Sequence, residues 1–235
     1  MRLYKNIDTV DNPKRPSKTI SFAIEEKLQR KQHTFRSERE RTKFIKTVEQ
    51  YCRKSPEYRE LITALKKNMD YNRCTVIKHL KCGNGKKYTI EIHHMPFTLF
   101  DIVSIVLLKR EELGEPINID MICNEVMELH YDGKVGLIPL SKTMHELYHD
   151  GQIFIPLQFV YQKYDKFANE YEAWIDLLPK CKDKIQLIIE MSQRSSNILS
   201  DALDVEFTYL DVDGFTFPVL PDEWGNILKS LDDPV

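Results

Sequence analysis

Four of the seven histidines lie in two close pairs, and these pairs constrain the fold more than any other feature of the chain. His93 and His94 are adjacent at the end of a β-like run, whereas His145 and His149 are four residues apart in a helix-like run. Side chains at i and i+4 share one face of a helix, and adjacent strand residues point to opposite faces. We therefore expect His145 and His149 to act together, and His93 and His94 to have different roles.

The strand that ends in the histidine pair shows a clear alternation. Glu91 and His93 fall on one face of it and the apolar residues on the other. Residues 74–77 form a second β-rich run, and residues 83–87 have the glycine and asparagine content of a turn. This pattern predicts a β-hairpin over residues 74–92.

Helical patterns occupy most of the remaining chain. Pro13, Pro16 and several basic residues predict an extended basic arm over residues 1–20. After this arm, helices are expected over residues 21–54 and 56–68, and two more within residues 98–131. A buried strand is expected at 135–140, followed by a short helix from Ser141 or Thr143 to Gly151. Residues 173–199 are expected to be helical, with a break at Pro179. A last β-hairpin is expected over residues 207–217. We predict an α+β protein in three parts, residues 1–70, 71–165 and 166–235.

Charge is distributed unevenly along the chain. Residues 1–92 hold 23 Lys and Arg against 11 Asp and Glu, a balance of +12, and residues 93–235 hold 11 against 25, a balance of −14. A basic segment favours contact with a phosphate backbone, although solvated helix faces give the same composition. The acidic region after residue 200 is expected to dock on the basic half or on a partner protein. It could also mimic nucleic acid.

Apolar runs and cysteine content indicate the cellular compartment of the protein. No apolar run approaches the ~20 residues of a membrane span, and the first residues lack the apolar region of a signal peptide. Five cysteines, Cys52, Cys74, Cys82, Cys123 and Cys181, form no dense framework and are expected to be free thiols. We predict no membrane contact and a cytoplasmic location.

Several metal sites are compatible with these residues. The helix reads His145-Glu146-Leu147-Tyr148-His149, the H-E-x-x-H pattern of zinc proteases, with Glu146 as base and Glu170 as a candidate third ligand. Cys74, His79 and Cys82 could form a zinc knuckle, although their spacing is irregular. The residues Asp211, Asp213 and Gly214 hint at a calcium loop but lack its ligand spacing.

The two histidine pairs, taken together with the elements that carry them, resemble a known family. Ile90 to Pro96 and Leu137 to His149 resemble the two halves of the ββα-metal finger of HNH endonucleases, in the colicin-DNase-like variant with paired histidines. The segments His94–Leu99 and Gly151–Leu157 are similar to HNH-like proteins of large bacteriophages. The resemblance implies a central finger over residues 71–165, with a two-helix insertion at 98–131 between a basic helical region and an acidic C-terminal extension.

The resemblance also implies a chemistry for each histidine. His93, His145 and His149 would hold one divalent ion, Mg, Mn, Ni or Zn, and His94 would be the general base that activates water. His130 lies in the insertion and could also approach the metal. The function implied is metal-dependent hydrolysis of DNA, with RNA as an open alternative, in the host cytoplasm if the chain is phage-encoded.

Some residues depart from the family pattern or are assigned only by position. Gly136 stands where the family has an asparagine that braces the loop. Lys87, Lys134 and Lys142 lie near the finger and are candidate contacts to nucleic acid. The alternative to an endonuclease is a catalytically inactive protein of the same fold that binds nucleic acid or a phage protein assembly.

Overall fold

The computed structural model describes residues 12–15, 32–67, 71–76, 89–197, 208–212 and 215–219. This part of the chain is mostly helical, with eight α-helices and two two-stranded antiparallel sheets, which confirms the α+β prediction. The elements are α1 Glu38–Lys54, α2 Pro56–Lys67, β1 Ile90–His94, α3 Leu99–Glu112, α4 Ile119–Tyr131, β2 Leu137–Ser141, α5 Lys142–His149, α6 Tyr164–Glu170, α7 Glu172–Ile175, α8 Pro179–Asn197, β3 Thr208–Val212 and β4 Phe215–Val219. A short 3-10 helix spans Leu157–Phe159.

The boundaries of the first helices follow from local capping. The Ser37 side chain accepts a hydrogen bond from the backbone of Glu40 and begins α1. Between α1 and α2, the hydroxyl of Ser55 accepts a hydrogen bond from the backbone N–H of Tyr58 at 3.0 Å. Pro56 is the first residue of α2, a position where its missing N–H costs nothing. The predicted helix start at Ser55 and Pro56 is confirmed.

The helices α3 and α4 form the centre of the larger core. Both pack on α1, and α3 is buried on nearly all sides. Thr98 and Asp101 form a reciprocal capping box at the start of α3, where Asp101 also pairs with the buried Lys184 of α8. The two helices expected within residues 98–131 are therefore present, but they belong to the core. A ββα-metal finger, with these helices as a lateral insertion, is not identified in the described residues.

The strand β1 pairs with β2, and the described residues 74–76 form no strand beside it, so the hairpin prediction is wrong for these residues. Residues 77–88 of the expected hairpin lie outside the described part of the chain. His93 lies opposite Ile138 and His94 opposite Leu137 in an antiparallel register. All five residues of β2, four of them apolar, are buried. Its second edge meets Tyr161 and the backbone N–H of Thr75, which donates to Pro139 O at 2.9 Å.

The short helix α5 follows β2 without a loop. Its N-cap is Ser141, whose side chain accepts from the backbone of Met144, so the alternative capping box from Thr143 is not formed. Gly151, with φ of 65°, follows the C-cap Asp150, as the sequence pattern predicts. Because β2 runs directly into α5, the position of the helix is fixed by the register of β2 on β1.

The C-terminal elements complete the structure. Pro179 begins α8, which confirms the predicted break there. The aromatic residues between β2 and α7 are core residues, as expected by default: Phe154, Tyr161, Tyr164, Phe167 and Tyr171 are all buried. The hairpin expected over residues 207–217 is confirmed by the pairing of β3 with β4. Asp213 and Gly214 of the candidate calcium loop lie outside the described residues.

None of the helices in the described ranges is long and apolar enough to cross a membrane. Within the described residues, buried apolar side chains form two clusters, and the larger one contains residues on both sides of the predicted boundary at 165, for example Phe97 and Phe167. The division into three parts stays a prediction.

Candidate metal centre

Three histidines from two elements converge at the junction of β1 and α5. The Nδ1 atom of His93 lies 2.9 Å from Nε2 of His145, which lies 2.9 Å from Nε2 of His149. One ring nitrogen from each residue falls within 4.8 Å of the other two. The predicted grouping of these side chains is confirmed, and its cause is the expected one: the last turns of α5 place His145 and His149 above the β1 face that carries His93.

The exposure of the three side chains rises from the inside outward. His93 is 7% exposed, His145 is half-buried and His149 is exposed. Burial lowers the pKa of His93 well below its usual value, and the charges of the two neighbouring histidines lower it further. A neutral imidazole is the form that binds a metal ion. The three histidines thus form a site at the protein surface, with His93 on its buried side and His149 on its exposed side.

Glu91 fixes the orientation of the central histidine. Its Oε2 lies 2.5 Å from Nδ1 of His145, so the ring N–H donates to the carboxylate and Nε2 keeps its lone pair toward the other two rings. A carboxylate behind a ligating histidine is the usual support of a metal site, because it sets the tautomer and raises ligand basicity. This role of Glu91 was not predicted from the sequence, although strand alternation places Glu91 on the same face as His93.

The spacing of the ring nitrogens fits a small tetrahedral ion. Zinc–nitrogen bonds of ~2.0–2.1 Å place two tetrahedral ligands about 3.4 Å apart. The two 2.9 Å separations differ from that value by about 0.5 Å, which side-chain rotation can supply. Three imidazoles leave one coordination position that no described His, Cys, Asp or Glu occupies.

The protease alternative does not agree with the structure. The Glu146 side chain is 61% exposed, pairs with Lys142 at 3.6 Å and is not part of the histidine group. Glu170 pairs with Lys134 at 2.7 Å and is not part of the histidine group. The two histidines of the H-E-x-x-H pattern share one face, but neither Glu146 nor Glu170 joins them, and the carboxylate beside His145 is that of Glu91 on β1.

His94 is separated from the other three, as the alternation of β1 requires. Its ring is 4% exposed and stacks on Tyr58, and its Nε2 lies 3.0 Å from Nε2 of His130. The Nδ1 of His130 lies 2.7 Å from the carbonyl oxygen of Val126, so Nδ1 carries the proton and Nε2 accepts from His94. His94 and His130 are therefore a neutral buried pair that braces β1 against α4. The structure does not bring either residue to the metal group.

Gly136 occupies a position that excludes a side chain. A Cβ there would lie 1.9 Å from the carbonyl oxygen of Met95, a backbone atom that cannot move away by a side-chain rotation. The two backbones are held together by the hydrogen bond from Met95 N to Gly136 O at 3.0 Å. The bracing asparagine of HNH proteins therefore has no room at this point of the chain.

The lysines and cysteines of the predicted sites have other partners. Lys134 pairs with Glu170 and Asp132, and Lys142 pairs with Glu146, while Lys87 lies outside the described residues. Cys52, Cys74, Cys123 and Cys181 are free thiols, as expected, and all are buried. Of the candidate zinc knuckle only Cys74 is described, since residues 77–88 are not.

The buried pair predicts how stability depends on pH. Burial lowers the pKa of His130 to about 4, despite the hydrogen bond to Val126 that favours the charged form. An unfolded histidine has a pKa of about 6.5, so the unfolded chain binds more protons between pH 6.5 and 4, and stability falls as pH falls through that window. The groups facing this ring are His94, Tyr58 and the more distant Arg53.

We expect His130 to lower the free energy of unfolding by about 2 kcal/mol between pH 6.5 and pH 5, measured by urea unfolding of the metal-free chain. The control is His130→Asn, whose amide can still donate toward Val126 but does not titrate. Its stability should fall less over the same interval. Identical pH profiles for the two proteins would refute the assignment.

Comparisons with known proteins identify one family. The model of the Bacteriophage G278-like virion protein family matches residues 2–212, a range that contains all eight described helices, β1, β2 and β3. No curated protein and no solved structure matches the chain.

This match overturns the main functional prediction. The family is one of virion proteins and not of HNH endonucleases, so the predicted metal-dependent hydrolysis of DNA is wrong. The alternative reading, a non-cutting protein that binds a phage protein assembly, agrees better with the finding. The features that misled the prediction were short: two histidine pairs around a strand and a helix, in which His94 faces the core and Gly136 replaces the asparagine.

Proposed function

Since the chain belongs to the family of Bacteriophage G278-like virion proteins, we propose that it is a structural component of the phage particle. The observation that carries the proposal is the extent of the match, which spans residues 2–212 of a chain of 235. The partners that follow from this role are other structural proteins of the same particle, and the location is the virion.

The buried polar interactions support a rigid building block. Lys184, of which 3% of the side chain is exposed, pairs with Asp101 at the start of α3, and the amide of Gln162 is buried between Asn12 and Tyr71. Such satisfied polar pairs favour one arrangement of the helices over others. A fixed shape is what a subunit of an assembly requires.

We further propose that His93, His145 and His149 hold a zinc ion, or a similar transition metal, that fastens α5 to β1. Imidazole suits Zn, Ni, Cu and Fe, whereas Mg and Mn prefer carboxylate oxygens, so two of the four predicted metals are disfavoured. When bound, the ion supplies a cross-link between residues 52 positions apart, His93 and His145. Glu91 holds the His145 ring in the orientation that ligation needs.

The structural role is tested on purified particles. Particles of a phage that encodes the chain are banded in a density gradient, and the chain is quantified by mass spectrometry relative to a known capsid component. We expect a defined copy number that stays with the particles through salt and nuclease washes. A chain that is found in the lysate and is absent from the banded particles would contradict the proposal.

A further inference from the structure

A recess near the end of α4 holds two side chains of residues 12–15, which are the described part of the predicted basic arm and are called the arm below. Both hydrogens of the Asn12 amide are used, since Nδ2 donates to the carbonyl oxygens of His130 at 3.0 Å and Tyr131 at 3.1 Å. The Asn12 Oδ1 accepts from Nε2 of Gln162 at 2.8 Å. Every polar atom of this side chain is therefore paired with the body of the protein.

One residue of the recess, Gln162, has a strained backbone conformation. Gln162 is 2% exposed and has a φ of 78°, a conformation that non-glycine residues rarely adopt, and its amide joins Asn12 to the hydroxyl of Tyr71. Gly133 leaves the space: a Cβ there would lie 2.7 Å from Oε1 of Gln162 and 3.0 Å from Nδ2 of Asn12. Backbone strain that positions a side chain is common where a ligand is bound.

A second contact neutralises a buried carboxylate. Arg15 donates from Nε to Oε1 of Glu57 at 2.6 Å and from its terminal nitrogen to Oδ1 of Asn124 at 3.0 Å. Glu57 is 6% exposed, and a buried carboxylate without a cation is unfavourable. The recess thus recognises an Asn-x-x-Arg segment through an amide and a cation, three residues apart.

The chain length between the arm and the body exceeds what this docking requires. Arg15 contacts Asn124 in α4, and Gln32 contacts Ile117 just before α4, so both ends of residues 16–31 lie along the same helix. Asn124 and Ile117 are about 10 Å apart at 1.5 Å per residue. Sixteen residues can span about 55 Å. A connection of this length also reaches a recess on an adjacent molecule.

We propose that, in the assembly, the arm of one copy fills the recess of a second copy, so that residues 12–15 link neighbouring subunits. The exchange preserves every contact described above, because the segment and the recess are unchanged and only the connection differs. The exchange costs the entropy of bringing two copies together. In an assembly this cost is small, because neighbouring copies are already held at a high local concentration. This proposal rests on the structural role proposed for the chain.

The test uses two full-length variants with complementary defects. An arm variant, Asn12→Ala with Arg15→Ala, keeps its recess; a recess variant, Glu57→Gln with Gln162→Ala, keeps its arm. Each alone is expected to be a monomer at the concentrations used, and the equimolar mixture to contain a species of twice the monomer mass by sedimentation. The arm variant should also melt at a higher temperature in the mixture than alone.

Two controls fix the interpretation. A chain with all four substitutions, mixed with the arm variant, should give no such species. If the recess variant does not fold, a labelled peptide of residues 9–18 is titrated into the arm variant, and binding that is lost when Asn12 and Arg15 of the peptide are alanine supports the recess. A mixture that sediments as monomers, or a peptide that does not bind, overturns the proposal. Neither result affects the presence of the chain in particles.

Discussion

Zinc ions are expected to raise the free energy of unfolding of the metal-free chain by about 4 kcal/mol at a free concentration a thousand times the dissociation constant. The reason is that the ligands lie on two elements, His93 on β1 and His145 with His149 on α5, which come together only in the folded chain. Denaturant unfolding with zinc or with a chelator measures the difference. A chelator-treated protein that gains nothing from zinc, nickel or copper would contradict the metal site.

Matched variants separate ligation from other effects of the metal. His145→Ala removes the central nitrogen and should abolish the gain, whereas Glu146→Ala changes an exposed residue of α5 that is not part of the histidine group and should keep it. Glu91→Gln keeps the size of the side chain but removes the carboxylate charge behind His145. We expect it to weaken metal binding about 10- to 100-fold. Equal stabilisation of His145→Ala and the unmodified chain would refute the assignment.

Gly136→Asn is expected to cost more than the ~3 kcal/mol that an overpacked core site usually costs. The added Cβ would lie 1.9 Å from the carbonyl oxygen of Met95, so β2 must separate from the chain that follows β1. This substitution restores the asparagine of HNH proteins, and a chain built on that plan would tolerate it. Urea unfolding of the variant gives the magnitude, and near-native stability would contradict the described contact.

Gly114→Ala is the control for the effect of losing a glycine. Gly114 also has no side chain, and its φ of 64° makes any substitution strained, but nothing lies within 4 Å of its Cβ position. Its cost should stay near the 1–2 kcal/mol of a residue forced into the left-handed region. Gly136 does not have a positive φ, so its variant carries no such backbone strain, and a cost above that of Gly114→Ala comes from the added side chain against Met95.

The metal group could be predicted from the sequence because its pattern is local. The spacing of His145 and His149 places both on one helix face whatever the rest of the chain does, and strand alternation separates His93 from His94. The capping residues Ser55 and Pro56 and the turn at Gly151 were predictable for the same reason. Each depends on contacts within one turn of the chain.

The pairing of the strands depends on distant residues and was not predictable in this way. The strand-like run at residues 74–77 lies closer to β1 in sequence than β2 does, yet β1 pairs with β2, beyond two helices. β2 is buried along its whole length, and this burial between β1 and Tyr161 outweighs the short connection that a hairpin would have. The residues of a turn do not indicate whether a strand pairs with its neighbour in sequence or with a distant strand.

The functional prediction failed because it assigned chemistry to residues without knowing what covers them. The sequence position of His94 made it a candidate base, but in the structure its Nε2 is hydrogen-bonded to His130 inside the core. Lys134 and Lys142 each face a carboxylate. The role of Glu91, by contrast, was missed because a single acidic residue on a strand is not distinctive until the ring of His145 is placed beside it.

The most direct test of the structural role is the composition of particles made without the chain. A phage with a stop codon early in this gene is grown in a non-suppressing host, and its particles are imaged by electron microscopy and analysed by mass spectrometry, with a plasmid copy of the gene as control. We expect incomplete or unstable particles that lack the chain, and normal particles when the plasmid is present. Complete, infectious particles formed without the chain would contradict it.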